Sequence, residues 1–257
     1  MISRVQCVSH GVPFELQADD AEVLARMLER VPFGTSHELA GAGGHVFYLE
    51  SFGGSGFGLT GADEPITSAN LDDALDRFGE SLMVHVANFA PDRVFVHAGV
   101  VGWRGRAIVL PGPSFAGKTT LTAELVRCGA TYYSDEYAVV DESGLVHPYA
   151  RELQMREPGR PEQRGVPVSS LNGVAGSQPL AVRQIFFAEY QPAGAWSPLA
   201  VSPGMAVLEM LRHTIPVQRT PARVMATLTR MVADAQAFRS ARGDARRTAE
   251  EILAALP

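Results

Sequence analysis

Lysine is almost absent from this chain. Of 257 residues, 22 are Lys or Arg, and 21 of those are arginine, which leaves Lys118 as the one lysine. Chemistry that needs two lysines is therefore excluded. The Asn-Lys-x-Asp guanine-binding motif of signalling GTPases needs its own lysine. So does the strand of eukaryotic-type protein kinases if Lys118 is committed elsewhere. A lysine-rich nucleic-acid face is absent, and a net charge of −6 argues against a phosphate-backbone binder, so no nucleic-acid partner is expected. Long apolar runs are also missing: none approaches the 18 residues a membrane span requires. The first ten residues hold one Arg and no apolar h-region, so no secretory signal is expected. Cysteine is scarce. Cys7 and Cys128 stand far apart, which excludes a disulfide framework and fits packed free thiols in a reducing cytoplasm.

What remains is a chain able to bury a core, with 46% hydrophobic residues, and rich in turns, with 25 Gly and 17 Pro. Residues 2–9 and 12–17 alternate around His10-Gly11 as a hairpin does. Asp19 and Asp20 precede an amphipathic helix carrying Val23, Leu24, Met27, Leu28 and Val31. Residues 46–49 read as a strand, and the glycine-rich 53–61 as a hairpin or loop. Ser68 or Asn70 opens a helix to about Phe89, with Leu71, Leu75, Phe78, Leu82 and Val86 on one stripe. Pro91-Asp92 marks a boundary between a small α+β region, residues 1–90, and a larger domain, residues 91–257. In the larger domain, residues 94–101 and 107–110 read as strands, 119–128 as a helix stopped by Gly129, and 131–136 as another strand. Residues 137–141 and 145–149 suggest a hairpin. Residues 151–176 read as an irregular polar connection and 180–190 as a strand. Ser202-Pro203, Thr220-Pro221 and Asp244 open three C-terminal helices.

Between the strand 107–110 and the helix lies Gly112-Pro113-Ser114-Phe115-Ala116-Gly117-Lys118-Thr119, a complete G-x-x-x-x-G-K-[ST] phosphate loop, with Thr120 directly after it. Small residues there let backbone N–H groups converge on phosphate oxygens, and the helix N-terminus adds its positive dipole end. Lys118 contributes an ammonium to the β and γ oxygens, and Thr119 a hydroxyl to Mg²⁺. The cofactors implied are thus ATP and Mg²⁺. A carboxylate is needed nearby, and Asp135-Glu136 follows 17 residues after Lys118. Two roles are open to the pair: metal ligand, or general base on an attacking hydroxyl. The acidic pair Asp141-Glu142 is followed by Ser-Gly and reads as a hairpin turn. Arg156 is a candidate to neutralise a transferring phosphoryl group. Arg239, Arg242, Arg246 and Arg247 surround the last helix start, either as a solvated face or as a hint of an anionic partner. The remaining histidines, His213 among them, show no metal spacing and receive no role.

His97-Ala98-Gly99-Val100, the loop 112–119 and Asp135-Glu136 together resemble the catalytic domain of bacterial HPr kinase/phosphorylase and its relatives, the HPr-kinase-like serine kinases. The resemblance covers residues 92–150 best. It implies an α/β fold with a phosphate-loop sheet core, a smaller α+β N-terminal region and a helical C-terminus. It also implies Asp135 as catalytic base, with Glu136 or His97 assisting, and His97 near the transferred phosphate. The loop departs from the family's usual Gly-Asp-Ser-Gly-x-Gly-Lys-Ser at Pro113 and Phe115, and the downstream Glu-x-Arg-Gly-x-Gly signature has no counterpart. These departures argue against HPr as the substrate, and residues 1–90 resemble those of shorter HPr-kinase-like proteins, some associated with ribosomally made peptides such as lasso peptides, so the resemblance implies a serine-type hydroxyl on a peptide or small protein as the acceptor. A small-molecule alcohol or amino-acid kinase and a non-enzymatic nucleotide sensor are the alternatives. A homo-oligomer is left open.

Overall fold

A computed structural model describes residues 2–38, 43–156 and 163–255. The chain divides into two compact units, Met1–Asp92 and Arg93–Pro257. No helix among the described residues is long and apolar enough to cross a membrane.

The first unit contains β1 (Ser3–Ser9), β2 (Val12–Ala18), α1 (Ala21–Leu28), β3 (Ser36–Glu38), β4 (His45–Ser51), β5 (Phe57–Thr60), β6 (Ile66–Ser68) and α2 (Leu71–Phe89). The six strands form one sheet in the order β3-β1-β2-β4-β5-β6. In β2, Val12, Phe14, Leu16 and Ala18 are buried in alternation, the period of a strand with one face on the core. His10 and Gly11 both have positive φ, 48° and 79°, as the tight β1–β2 hairpin requires. Asp20 and Asn70 cap the helices by accepting from the N–H groups of Glu22 and Asp72 at 2.6 and 2.7 Å.

The second unit contains β7 (Arg93–Trp103), β8 (Arg106–Pro111), α3 (Lys118–Arg127), β9 (Thr131–Ser134), β10 (Tyr137–Asp141), β11 (Leu145–His147), β12 (Leu153–Arg156), β13 (Gln163–Val166), β14 (Leu180–Tyr190), β15 (Leu199–Val201), α4 (Pro203–Leu211), α5 (Pro221–Val232), β16 (Gln236–Arg242) and α6 (Ala245–Ala254). Its main sheet runs β11-β10-β7-β8-β14-β16-β15, with β9 paired to the same edge of β7 as β10. The three central strands β8, β14 and β16 are parallel. Because β11 pairs with both β10 and β14, the strands β14-β8-β7-β10-β11 close a ring.

Alternation along β8 sorts the two cores. Ile108 and Leu110 pack with Leu121 and Leu125 of α3 and Ile252 of α6. Ala107 and Val109 pack with Val207 and Met210 of α4 and Leu228 of α5. The unit is thus a mixed α/β sheet with helices on both faces.

Three expectations change. The C-terminal part is not purely helical, because β15 and β16 extend the sheet between its helices. The segment 151–176 is not wholly irregular, since β12 and β13 form an antiparallel hairpin. The strand expected over 131–136 is β9, ending at Ser134, and Asp135 and Glu136 follow it. Cys7 and Cys128 are both free thiols.

Candidate functional site

Strand β8 delivers the glycine-rich loop. The Gly112 N–H donates to the His97 carbonyl at 3.3 Å, and Ala116 N–H to Pro113 O at 3.3 Å. Phe115, at φ 67°, turns its side chain outward and is 78% exposed. Ser114 and Thr120 are exposed and Thr119 is half-buried. Gly117 is the N-cap of α3 at φ 79°, and no side chain caps it. The first N–H to find an acceptor within the helix is that of Leu121, on Gly117 O. The donors of the first turn therefore face the loop without an intrahelical partner, the arrangement that suits an anion. Lys118 Nζ folds back across the loop to Pro113 O at 2.7 Å. Burial lowers its ammonium to about 8, and the charges of Asp135 and Glu136 oppose that shift.

The acidic pair lies one strand away from β8, on the far side of β7. Ser134 pairs with Val100 and Tyr137 with His97, and between them Glu136 O accepts from Ala98 N–H at 3.0 Å. Ser134 Oγ steadies the segment by accepting from the N–H groups of Glu136 and Tyr137 at 3.1 and 2.9 Å. Asp135 is buried at 6% exposure. Its Oδ1 accepts from the Tyr132 hydroxyl at 2.8 Å and its Oδ2 from Gln154 N–H of β12 at 3.2 Å. Two donors on a buried carboxylate fix its orientation. Burial and the Asp135 charge push the Tyr132 phenol far up, so it stays a donor. Glu136 pairs with Arg151 Nη1 at 2.7 Å. Burial works against the Arg151 charge, and Glu136, Tyr149 and Asp135 together more than offset it.

Two histidines complete the cluster. His97 N–H donates to the His213 carbonyl at 2.7 Å. Burial, with the positive charge of Lys118 and a smaller push from His213, lowers His97 to about 4, so its imidazole is neutral at neutral pH. Burial and Lys118 also lower His213. The structure thus gathers Lys118, Asp135, Glu136 and His97 around one sheet end. Arg156 ends β12, and its side chain lies outside the described residues.

Sequence reasoning missed Tyr132, Arg151, Gln154 and His213, which are brought in by tertiary pairing and carry no motif. It noticed Arg242 only as one of four arginines. Arg242 is 2% exposed, donates from Nη2 to Gly117 O at 2.7 Å, and lies 5.2 Å over the Tyr190 ring. The other three arginines engage carboxylates: Arg239 with Glu209 at 3.2 Å, Arg246 with Glu250 at 2.7 Å and Arg247 with Glu251 at 2.9 Å.

Among the described residues, no group of three or more His, Cys, Asp or Glu side chains could hold a metal by itself. The Thr119 hydroxyl and the Asp135 and Glu136 carboxylates are hard oxygen donors. That set fits Mg²⁺ of the kind that keeps waters and substrate phosphates in its coordination. No protein-family model matches this chain, and no curated protein matches it in sequence.

Proposed function

We propose that the chain is an ATP-dependent phosphotransferase, a cytoplasmic kinase of the HPr-kinase-like, phosphate-loop type. Its acceptor would be a serine-type hydroxyl on a peptide or small protein. The observation that carries the reading is the pairing of an uncapped glycine-rich loop bearing Lys118 with a buried, doubly hydrogen-bonded Asp135 across one strand. The residues divide the work. N–H groups of Ser114, Phe115 and Gly117 through Thr120 bind phosphate oxygens, while those of Gly112 and Ala116 hold the loop through the His97 and Pro113 carbonyls and Pro113 has no N–H. Lys118 exchanges Pro113 O for a β/γ oxygen. Thr119, Asp135 and Glu136 are the oxygen donors available to Mg²⁺, which supplies charge neutralisation on the phosphates. The acceptor oxygen bonds to the γ phosphorus as the bond to the bridging oxygen breaks and ADP leaves. Asp135 takes the hydroxyl proton, held in line by Tyr132 and Gln154. Neutral His97 is free to hydrogen-bond without adding charge, and Glu136, neutralised by Arg151, is the assisting carboxylate.

The test is transfer of radiolabelled phosphate from ATP to serine-containing peptides by the wild type, Asp135→Asn and Lys118→Arg. Asp135→Asn should lose about 10²–10⁴ in rate while still binding ATP. Lys118→Arg keeps the charge but replaces a compact ammonium with a bulkier planar group, and should abolish transfer. Folded, ATP-binding wild type that phosphorylates no peptide, or a fully active Lys118→Arg, would sink the reading.

A further inference from the structure

The opposite end of β8 carries a second feature. The hairpin tip between β7 and β8, together with β14 and the residue run entering β16, forms an open pocket of about 220 Å³ lined by Trp103, Arg104, Arg106, Ile108, Arg183 and Asp234. Its lining residues Ile108 and Arg106 stand four and six residues before Gly112, so at roughly 3.3 Å each the cavity lies about 13–20 Å from the glycine-rich loop along β8. It is separate from the cluster around Lys118.

Two details of the backbone and several of the side chains shape it. Val182 pairs with Ala107 and Gln184 with Ile108, so Arg183 is the extra residue of a β-bulge. A bulge bends its strand and re-aims a side chain that regular pairing would direct elsewhere. Arg104 sits at φ 50°, a left-handed conformation that a non-glycine residue adopts at a cost. That conformation holds its guanidinium 5.7 Å over the Trp103 ring. The Trp103 indole N–H is buried and without a hydrogen-bond partner among the described residues. Arg106 and Arg183 line the pocket beside one carboxylate, that of Asp234, on a chain whose net charge is −6. Among the described residues, neither Arg106 nor Arg183 has a carboxylate partner. Arginine forks match carboxylate and phosphate oxygens in a way that scattered surface charge does not.

We infer that this cavity is a second binding site, for a small molecule carrying two or more phosphate or carboxylate groups. Arg106 and Arg183 grip the anion, Arg104 closes over it, and the Trp103 N–H supplies a further donor. The size of the cavity admits a small molecule and not a folded partner.

Trp103 is one of two tryptophans, so in the full chain with Trp196→Phe it reports alone. Its fluorescence is followed while inorganic pyrophosphate or citrate is added at about 150 mM salt, where weak surface attraction is screened. The expected result is a saturable change with a dissociation constant below about 1 mM for at least one anion. Arg106→Ala/Arg183→Ala, both at exposed positions, should weaken it by about tenfold or more with the far-ultraviolet circular dichroism unchanged. Lys118→Met should leave it unaltered. A response to pyrophosphate alone assigns the site to phosphates, and to citrate alone to carboxylates. No saturable response to either anion, an unchanged response in the arginine variant, or loss of response in Lys118→Met overturns the inference. The outcome is independent of whether phosphoryl transfer is found.

Discussion

Arg242 Nη2 donates to the Gly117 carbonyl over 2.7 Å, and a Cβ on Gly117 would lie 2.1 Å from that same nitrogen. The second glycine of the loop therefore answers two demands at once: a left-handed turn at φ 79° and room for a guanidinium arriving from the end of β16. Gly117→Ala should cost about 1–3 kcal/mol through strain and overpacking. Arg242→Ala should cost about 0.5–1.5 kcal/mol by removing one of the two donors on the Gly117 oxygen, the Leu121 N–H remaining. The double variant should lose less than the sum, because removing the guanidinium also removes the clash. Urea unfolding of the four proteins measures the coupling, and strict additivity would mean that the two residues do not constrain each other.

Gly99 supports the site from behind. It faces α3 so closely that a Cβ there would stand 2.4 Å from Thr122 Oγ1, a hydroxyl that is itself buried without a partner among the described residues. The helix that follows the loop can approach β7 only because residue 99 has no side chain. Gly99→Ala should lower stability by about 1–3 kcal/mol. Adding Thr122→Ala should restore a large part of it, since the clashing and unsatisfied oxygen goes with it. Thermal unfolding of the single and double variants decides this; a double variant less stable than Gly99→Ala refutes it.

Asp141 closes the β10–β11 hairpin, and its contribution depends on pH. Burial raises its carboxyl, but His147 Nε2 at 2.7 Å and the N–H groups of Leu145 and Ser143 at 3.0 and 2.9 Å outweigh burial and hold it below the usual range. A folded-state value below the unfolded one, about 3.9, means that the stabilisation is complete above that pH and is lost as the pH falls through the folded value. Asp141→Asn should melt about 2–4 °C below the wild type at pH 7, if the loss is about 1 kcal/mol. The gap should close below about pH 4. A gap that persists unchanged in acid would show that the charge is not what matters.

The sequence by itself determined the local structure and the chemistry of the loop. The G-x-x-x-x-G-K-[ST] spacing, the apolar strand entering it, and the capping signals at Asp20, Asn70, Ser202 and Asp244 all rest on neighbours within a few residues, and each helix starts where those signals stand. Thr220 marked its helix too, although its hydroxyl donates to Pro216 O instead of capping. Strand β16 stayed hidden because the residues it buries include Ser240 and Arg242, so its pattern carries no apolar alternation. Its place comes from parallel pairing with β14, some fifty residues earlier in the chain.

Only the tertiary structure decided the surroundings of the one lysine. The composition showed arginine standing at every other basic position, and the motif gave Lys118 its slot. Tyr132 and Gln154 on Asp135, Arg151 on Glu136, His213 beside His97 and Arg242 on Gly117 come from strands and loops remote in sequence. The reason is physical. A backbone cradle is built from consecutive residues and is written locally. The burial and partner charges that bring Lys118 to about 8 and His97 to about 4 are sums over space, and they exist only once the sheet is assembled.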